Sequence, residues 1–314
     1  MKTKKKTIFS LCAFFAVFAA LLITATFTDL QVSQLLTKGT LPPGQYYATG
    51  LFGVIFECIG TCPEYLVSAF SCEVLALYAI RLLREKKYAF PFACVMLAGA
   101  AVLTGAWFKE LSGYILRHYS VSMKPFLWGV IVFVTLLFTF CETLATGSLS
   151  DESLKKLPRL AFCVLFGTLA ATLIVQALKT PFGRMRYRAM NTIGDFSGFT
   201  RWYIPNGQPD KEWMRAAFGT SDAFKSFPSG HTRGAAATFY LAVYAQALDV
   251  KAKWKRAALW CFAVVFTGLV AVSRIMVGAH FFSDVLVGGT IGFSCCMIAR
   301  EVACKGENIK ALRG

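Results

Sequence analysis

Apolar residues fill long blocks along this chain, and short polar stretches separate them; strict alternation is absent. One block runs from Ile8 to Phe27 and a second ends near Leu83. Six more cover roughly 90–112, 126–147, 160–178, 229–248, 257–274 and 281–301. Each approaches the ~20 residues that a helix needs to cross a hydrocarbon layer. The pattern predicts an all-α fold, a polytopic membrane bundle of about eight transmembrane helices. The blocks divide it into about four helices over 1–158, a second part over 159–303 with a long loop at 179–228, and a tail over 304–314.

Basic residues test the direction of threading. With the N-terminus in the cytoplasm, the inside pieces are the first six residues with four lysines, Arg84 to Lys87, Lys155 to Arg159, Lys251 to Arg256 and the tail. All carry Lys or Arg near a helix end, as cytoplasmic loops do. The outside pieces are sparser, with only Lys38 before residue 60 and Arg117 and Lys124 in the loop at 113–125. The loop at 179–228 breaks this pattern, because it is basic on the outer side and so asks for a chemical reason. The first block exceeds the 7–15 apolar residues of a secretory leader, so it reads as a retained helix.

Composition agrees: 56% of residues are hydrophobic, 16% are charged and the net charge is +16. In a soluble chain that charge would suggest nucleic acid. Here it sits at the ends of apolar blocks, so membrane lipid is the expected partner. Of the eleven cysteines, only Cys58 and Cys62 have a suggestive spacing, and with no histidine nearby no metal site is expected. Carboxylates punctuate the apolar runs. Glu57 and Glu64 read as interfacial, whereas Glu73 and Glu142 lie deeper, where acidic groups usually face a bundle interior.

Three clusters carry candidate chemistry. Lys179 follows an apolar helix and precedes Arg184, Arg186 and Arg188. The loop closes on Pro228-Ser229-Gly230-His231 at a helix start, where backbone amides and the helix dipole favour an anion. Ser273-Arg274 precedes His280 by six residues, and Asp284 follows four later, within reach on a helix. A carboxylate against one imidazole nitrogen leaves the other as base or nucleophile. Threading puts all three clusters on the outer side. Cations, a helix start, two histidines and a carboxylate form a site for phosphoryl transfer, with no acidic cluster to hold a metal. His118 reads as an ordinary interfacial histidine.

These clusters resemble the type 2 phosphatidic acid phosphatase (PAP2) superfamily, which includes vanadium haloperoxidases. Its motifs are Lys-x6-Arg-Pro, Pro-Ser-Gly-His and Ser-Arg-x5-His-x3-Asp. Here they read Lys179-x6-Arg186-Tyr187, Pro228 to His231, and Ser273-Arg274-x5-His280-x3-Asp284. Tyr187 departs from the family's proline. The resemblance covers roughly 160–301 and implies a PAP2/haloperoxidase-like helical core without a cofactor. It implies that His280 attacks phosphorus to give a phosphohistidine and that Asp284 orients it. His231 protonates the leaving oxygen, while Lys179, Arg186, Arg274, Ser229 and the Gly230 amide hold the phosphoryl oxygens. Many membrane members have three helices before the first motif; five precede it here, an extra pair.

The expected activity is hydrolysis of a lipid phosphate or pyrophosphate at the outer face of a bacterial cytoplasmic membrane. Undecaprenyl pyrophosphate, phosphatidic acid and phosphatidylglycerophosphate are candidate substrates. Phe196, Phe199, Trp202, Tyr203 and Trp213, mixed with Arg201, Lys211 and Arg215, suit a segment at headgroup depth. A soluble sugar phosphate is an alternative substrate. A transporter or carrier of a phosphorylated lipid is the alternative from another class, resting on Glu73 and Glu142.

Overall fold

The computed structural model describes residues 2–118 and 121–304, without the side chains of 2–11 and 118. The first lysines' side chains, the His118 side chain and the tail beyond Cys304 therefore lie outside the described residues. Among those described the chain is helical throughout, with no strand. In order the helices are α1 (Lys2–Thr37), α2 (Leu51–Ile59), α3 (Cys62–Leu82), α4 (Ala89–His118), α5 (Pro125–Gly147), α6 (Asp151–Lys156) and α7 (Pro158–Phe182). Then come α8 (Tyr187–Ile193), α9 (Lys211–Phe218), α10 (Gly230–Ala235), α11 (Phe239–Ala247), α12 (Lys253–Met276) and α13 (Phe282–Cys304).

Seven helical spans among the described residues are long and apolar enough to cross a membrane: Cys12–Thr37, Leu51–Leu82, Ala89–Arg117, Pro125–Gly147, Pro158–Ile193, Lys253–Met276 and Phe282–Cys304. The eighth expected block, 229–248, is helical but broken. A short 3-10 segment, Ala236–Thr238, divides α10 from α11. On α5, Phe126, Val130, Phe133, Leu137, Phe140 and Leu144 are exposed, as expected of a helix whose solvent is lipid. The chain is an all-α polytopic membrane bundle.

Local sequence explains several boundaries. Pro125 stands in the first turn of α5 and Pro63 in that of α3, where the missing N–H costs nothing. The Ser150 side chain caps α6 by accepting from Ser153 N, and Asp210 caps α9 by accepting from Glu212 N and Trp213 N. Helix α1 continues past the apolar block because Ala25, Asp29, Ser33 and Thr37, four residues apart, form one buried stripe.

The chain forms two compact units, each assembled from three stretches. The first comprises 1–53, 175–229 and 271–288; the second comprises 54–174, 230–270 and 289–314. The first has a core of Leu41, Tyr46, Met185, Tyr187, Met190, Met214, Phe218 and Phe281. In the second, Val67, Leu75, Leu160, Val164, Phe239, Tyr240 and Val243 centre the main core. Phe196 and Phe199 pack on the first unit's core, while Trp213 and Tyr203 stay exposed.

Candidate active site

Lys179, Arg186, Ser229, Arg274, His280 and Asp284 all belong to the first unit, and all are buried. Helix α7 delivers Lys179 near its end. The Nζ donates to the carbonyls of Lys225 (3.1 Å) and Pro228 (3.0 Å), so the lysine grips the chain just before Ser229. The strand-like pieces around Arg186 and Ala223 pair through their backbones, with Arg186 N to Ala223 O at 2.8 Å and Ser226 N to Arg184 O at 3.1 Å.

At the other end of the site, α12 stops just beyond Arg274. Gly278 adopts φ +64°, a left-handed geometry suited to a helix stop. The Arg274 carbonyl then receives Ala279 N at 3.1 Å and His280 N at 3.2 Å, which turns His280 inward before α13 begins. Ser229 N reaches the Asp284 carbonyl at 3.0 Å. That approach requires Gly288, because a Cβ there would collide with the Ser229 carbonyl.

The His280 ring has an unexpected neighbour. Its Nδ1 lies 2.5 Å from the Ser226 carbonyl and 3.9 Å from Asp284 Oδ2. A carbonyl only accepts, so Nδ1 carries the proton and Nε2 is the deprotonated nitrogen of the neutral ring. Asp284 is engaged elsewhere. Its Oδ1 accepts from Arg184 Nη1 at 2.6 Å, and its Oδ2 accepts Phe281 N at 2.8 Å and the Ser226 hydroxyl at 2.5 Å. Ser226 thus couples the imidazole and the carboxylate, which sequence spacing had put in direct contact.

Arg184 is the hub of this network. Besides Asp284, it donates to Ser283 Oγ (2.8 Å), Asp29 Oδ2 (2.9 Å) and the Thr200 carbonyl (2.8 Å). Its guanidinium lies 4.1 Å from the centre of the Phe281 ring. Asp29 also accepts Ser283 N at 2.8 Å, holding the first turn of α13. A second carboxylate, Asp222, serves two arginines. Arg186 Nη1 and Arg188 Nη2 each lie 3.3 Å from its Oδ2, and Tyr46 donates to Oδ1 at 2.7 Å. Burial alone would raise the Asp222 pKa, but Arg186, Arg188 and the Tyr46 and Thr220 hydroxyls hold it well below the usual carboxylate range. Burial pushes the Tyr46 phenol up to about 12, against the lowering effect of Arg188 and Arg186.

Asp29, Asp222 and Ser226 were absent from the sequence-derived site, and Arg184 appeared only as one of several cations. The one available signal was Asp29, an acidic residue directly after the first apolar block. The other two lie in a loop whose return path no periodicity reveals.

Gly230 and His231 begin α10 in the second unit. Arg233, two residues on, makes a bidentate pair with Glu64 of α3 and donates to Thr172 Oγ1 at 2.8 Å. Glu64 is therefore an ion-pair partner within the bundle. Glu73 accepts the Thr143 and Thr146 hydroxyls at 2.9 and 2.7 Å, and Glu142 accepts that of Thr104 at 3.4 Å.

Apolar spans and a buried, cation-rich constellation that includes an imidazole define a polytopic membrane protein with a site suited to an anionic substrate. The chain matches the family model for the PAP2 superfamily over residues 160–304, a little under half of its length. It is a membrane protein of phosphatase type. No curated protein and no solved structure matches the chain.

Proposed function

We propose that the protein hydrolyses a lipid phosphate or pyrophosphate through a phosphohistidine on His280, without a metal, at the outer face of the membrane. The observation that carries this reading is the Ser226 carbonyl at His280 Nδ1, which leaves Nε2 as the nucleophilic atom. In the same unit, Lys179, Arg184, Arg186, Arg188 and Arg274 supply five buried cations alongside Asp29, Asp222 and Asp284. The excess of two positive charges matches a phosphate monoester dianion.

In the first step Nε2 donates its lone pair to phosphorus and the bond from phosphorus to the leaving oxygen breaks. His231 gives that oxygen its proton, the role implied by the family motif. In the second step His231 takes a proton from water, the resulting hydroxide attacks phosphorus, and the bond to Nε2 breaks with release of phosphate. Lys179, Arg186, Arg274, the Ser229 hydroxyl and the Gly230 amide hold the phosphoryl oxygens, where charge grows in the transition state. A lipid substrate suits a site whose Lys179 lies within the apolar span Pro158–Ile193.

The test is phosphate release by detergent-purified protein, with EDTA present, from phosphatidic acid, polyprenyl pyrophosphate and glucose 6-phosphate. Release that survives EDTA and vanishes in His280→Ala supports the reading, and the preferred compound fixes the substrate class. Equal release by the variant, or none by the wild type, overturns it.

A further inference from the structure

A side chain from outside the family-matched segment packs on His231, and a chain of contacts runs on from it, all within the second unit. Tyr114 of α4 packs its ring on the imidazole, with centroids 5.5 Å apart and planes inclined at 55°. The Tyr114 hydroxyl donates to Glu110 Oε1 at 2.9 Å, one helical turn back. Glu110 Oε2 accepts the Tyr65 hydroxyl of α3 at 3.0 Å. Both carboxylate oxygens are thus occupied, and the tyrosine on α4 is tied to the neighbouring helix. The Arg117 guanidinium lies 5.3 Å from the centre of the Tyr114 ring. Glu64, also on α3, anchors α10 itself through Arg233.

We propose that Tyr114, held by Glu110, is a positioning residue for His231, fixing the imidazole plane so that its proton is aimed at the leaving oxygen. The inference rests on the phosphatase reading above. An imidazole on a six-residue helix has two rotatable side-chain bonds, and a flat ring at van der Waals distance removes most of their freedom. A tyrosine free to rotate could not impose that orientation; this one is fixed at its far end by a hydrogen bond to a carboxylate. The bond from Glu110 to Tyr65 then fixes the carboxylate, so the constraint passes from α3 through α4 to α10. Helix α4 thereby acquires a task in the reaction although it lies outside the matched segment.

Proton donation matters for a poor leaving group and little for a good one, which gives a readout that loss of packing would not mimic. Detergent-purified wild type, Tyr114→Leu, Tyr114→Phe, Glu110→Gln and His231→Ala would be assayed on a short-chain phosphatidic acid and on 4-nitrophenyl phosphate. Tyr114→Leu is expected to lower kcat on the lipid about tenfold or more, a fraction of what general-acid catalysis supplies, with KM nearly unchanged. On the aryl phosphate the loss is expected to stay within about threefold, because the nitrophenolate leaves without help. Tyr114→Phe keeps the ring without its tether and should recover part of the rate, while Glu110→Gln, which keeps the ring and an amide oxygen to accept from its hydroxyl, should fall between Tyr114→Phe and wild type. Combining Tyr114→Leu with His231→Ala should cost nothing beyond His231→Ala alone.

Equal losses on the two substrates, no loss on either, or a loss additive to that of His231→Ala would reduce Tyr114 to packing and overturn the inference alone. A wild type inactive on both substrates would overturn the phosphatase reading, and this inference with it.

Discussion

Ser226 serves two groups with different atoms, its carbonyl facing His280 Nδ1 and its hydroxyl donating to Asp284 Oδ2. Ser226→Ala removes only the hydroxyl. It is expected to cost about 1.5–3 kcal/mol of stability, as for a hydrogen bond to a charged group, and to leave phosphate release measurable. His280→Ala removes the proposed nucleophile and should reduce release to background in the same assay. Asp222 makes a pH prediction. Its pKa is depressed in the fold, so its contribution to stability is complete above the unfolded value of about 3.9 and is lost as pH falls below it. Melting temperatures in detergent between pH 3 and 6 should therefore drop on the acid side for wild type and less for Asp222→Asn. The sequence displayed the cations and histidines here because they stand in short motifs. It hid Ser226 and Asp222, whose roles depend on where a loop returns.

Helix α13 holds Asp284 close to the loop that carries Ser229, and Gly288 permits that approach. Gly288→Ala should force the two backbones apart at a cost of about 1–3 kcal/mol, as for overpacking, and should lower kcat more than KM rises. Thermal unfolding and initial rates would check both parts. At this scale most of the fold was legible, since apolar blocks of membrane length become helices with little choice. The departures have local causes. Helix α1 outruns its apolar block because its polar residues fall on one buried face, a period of four masked by the loss of overall hydrophobicity. The block at 229–248 breaks in a run of small residues, Gly234 to Thr238, where no proline marks the boundary. The region from Leu51 onward splits into α2 and α3 around Gly60 and Thr61.

Across the whole molecule, the proposed phosphatase and a carrier would rely on different charged groups. Buried cations gather in the first unit, while Glu73 and Glu142 lie among threonines in the second. If the carboxylates served transport, replacing one would abolish function. Glu73→Gln is expected instead to retain phosphate release within about threefold, because its threonine partners can bond an amide. Loss of release in this variant, with folding intact, would favour the carrier.

Asp29 and Ser283, which join in the first unit, stand 254 residues apart. During translation the aspartate is made 254 residues before the serine that completes its surroundings. Arg184, made between them, meets Asp29 first and waits for Asp284. A fragment beginning at residue 160 would retain every motif and yet leave that arginine short of one of its two carboxylates. Severing the chain after α1 and supplying the two pieces together should therefore restore more activity than the longer piece alone.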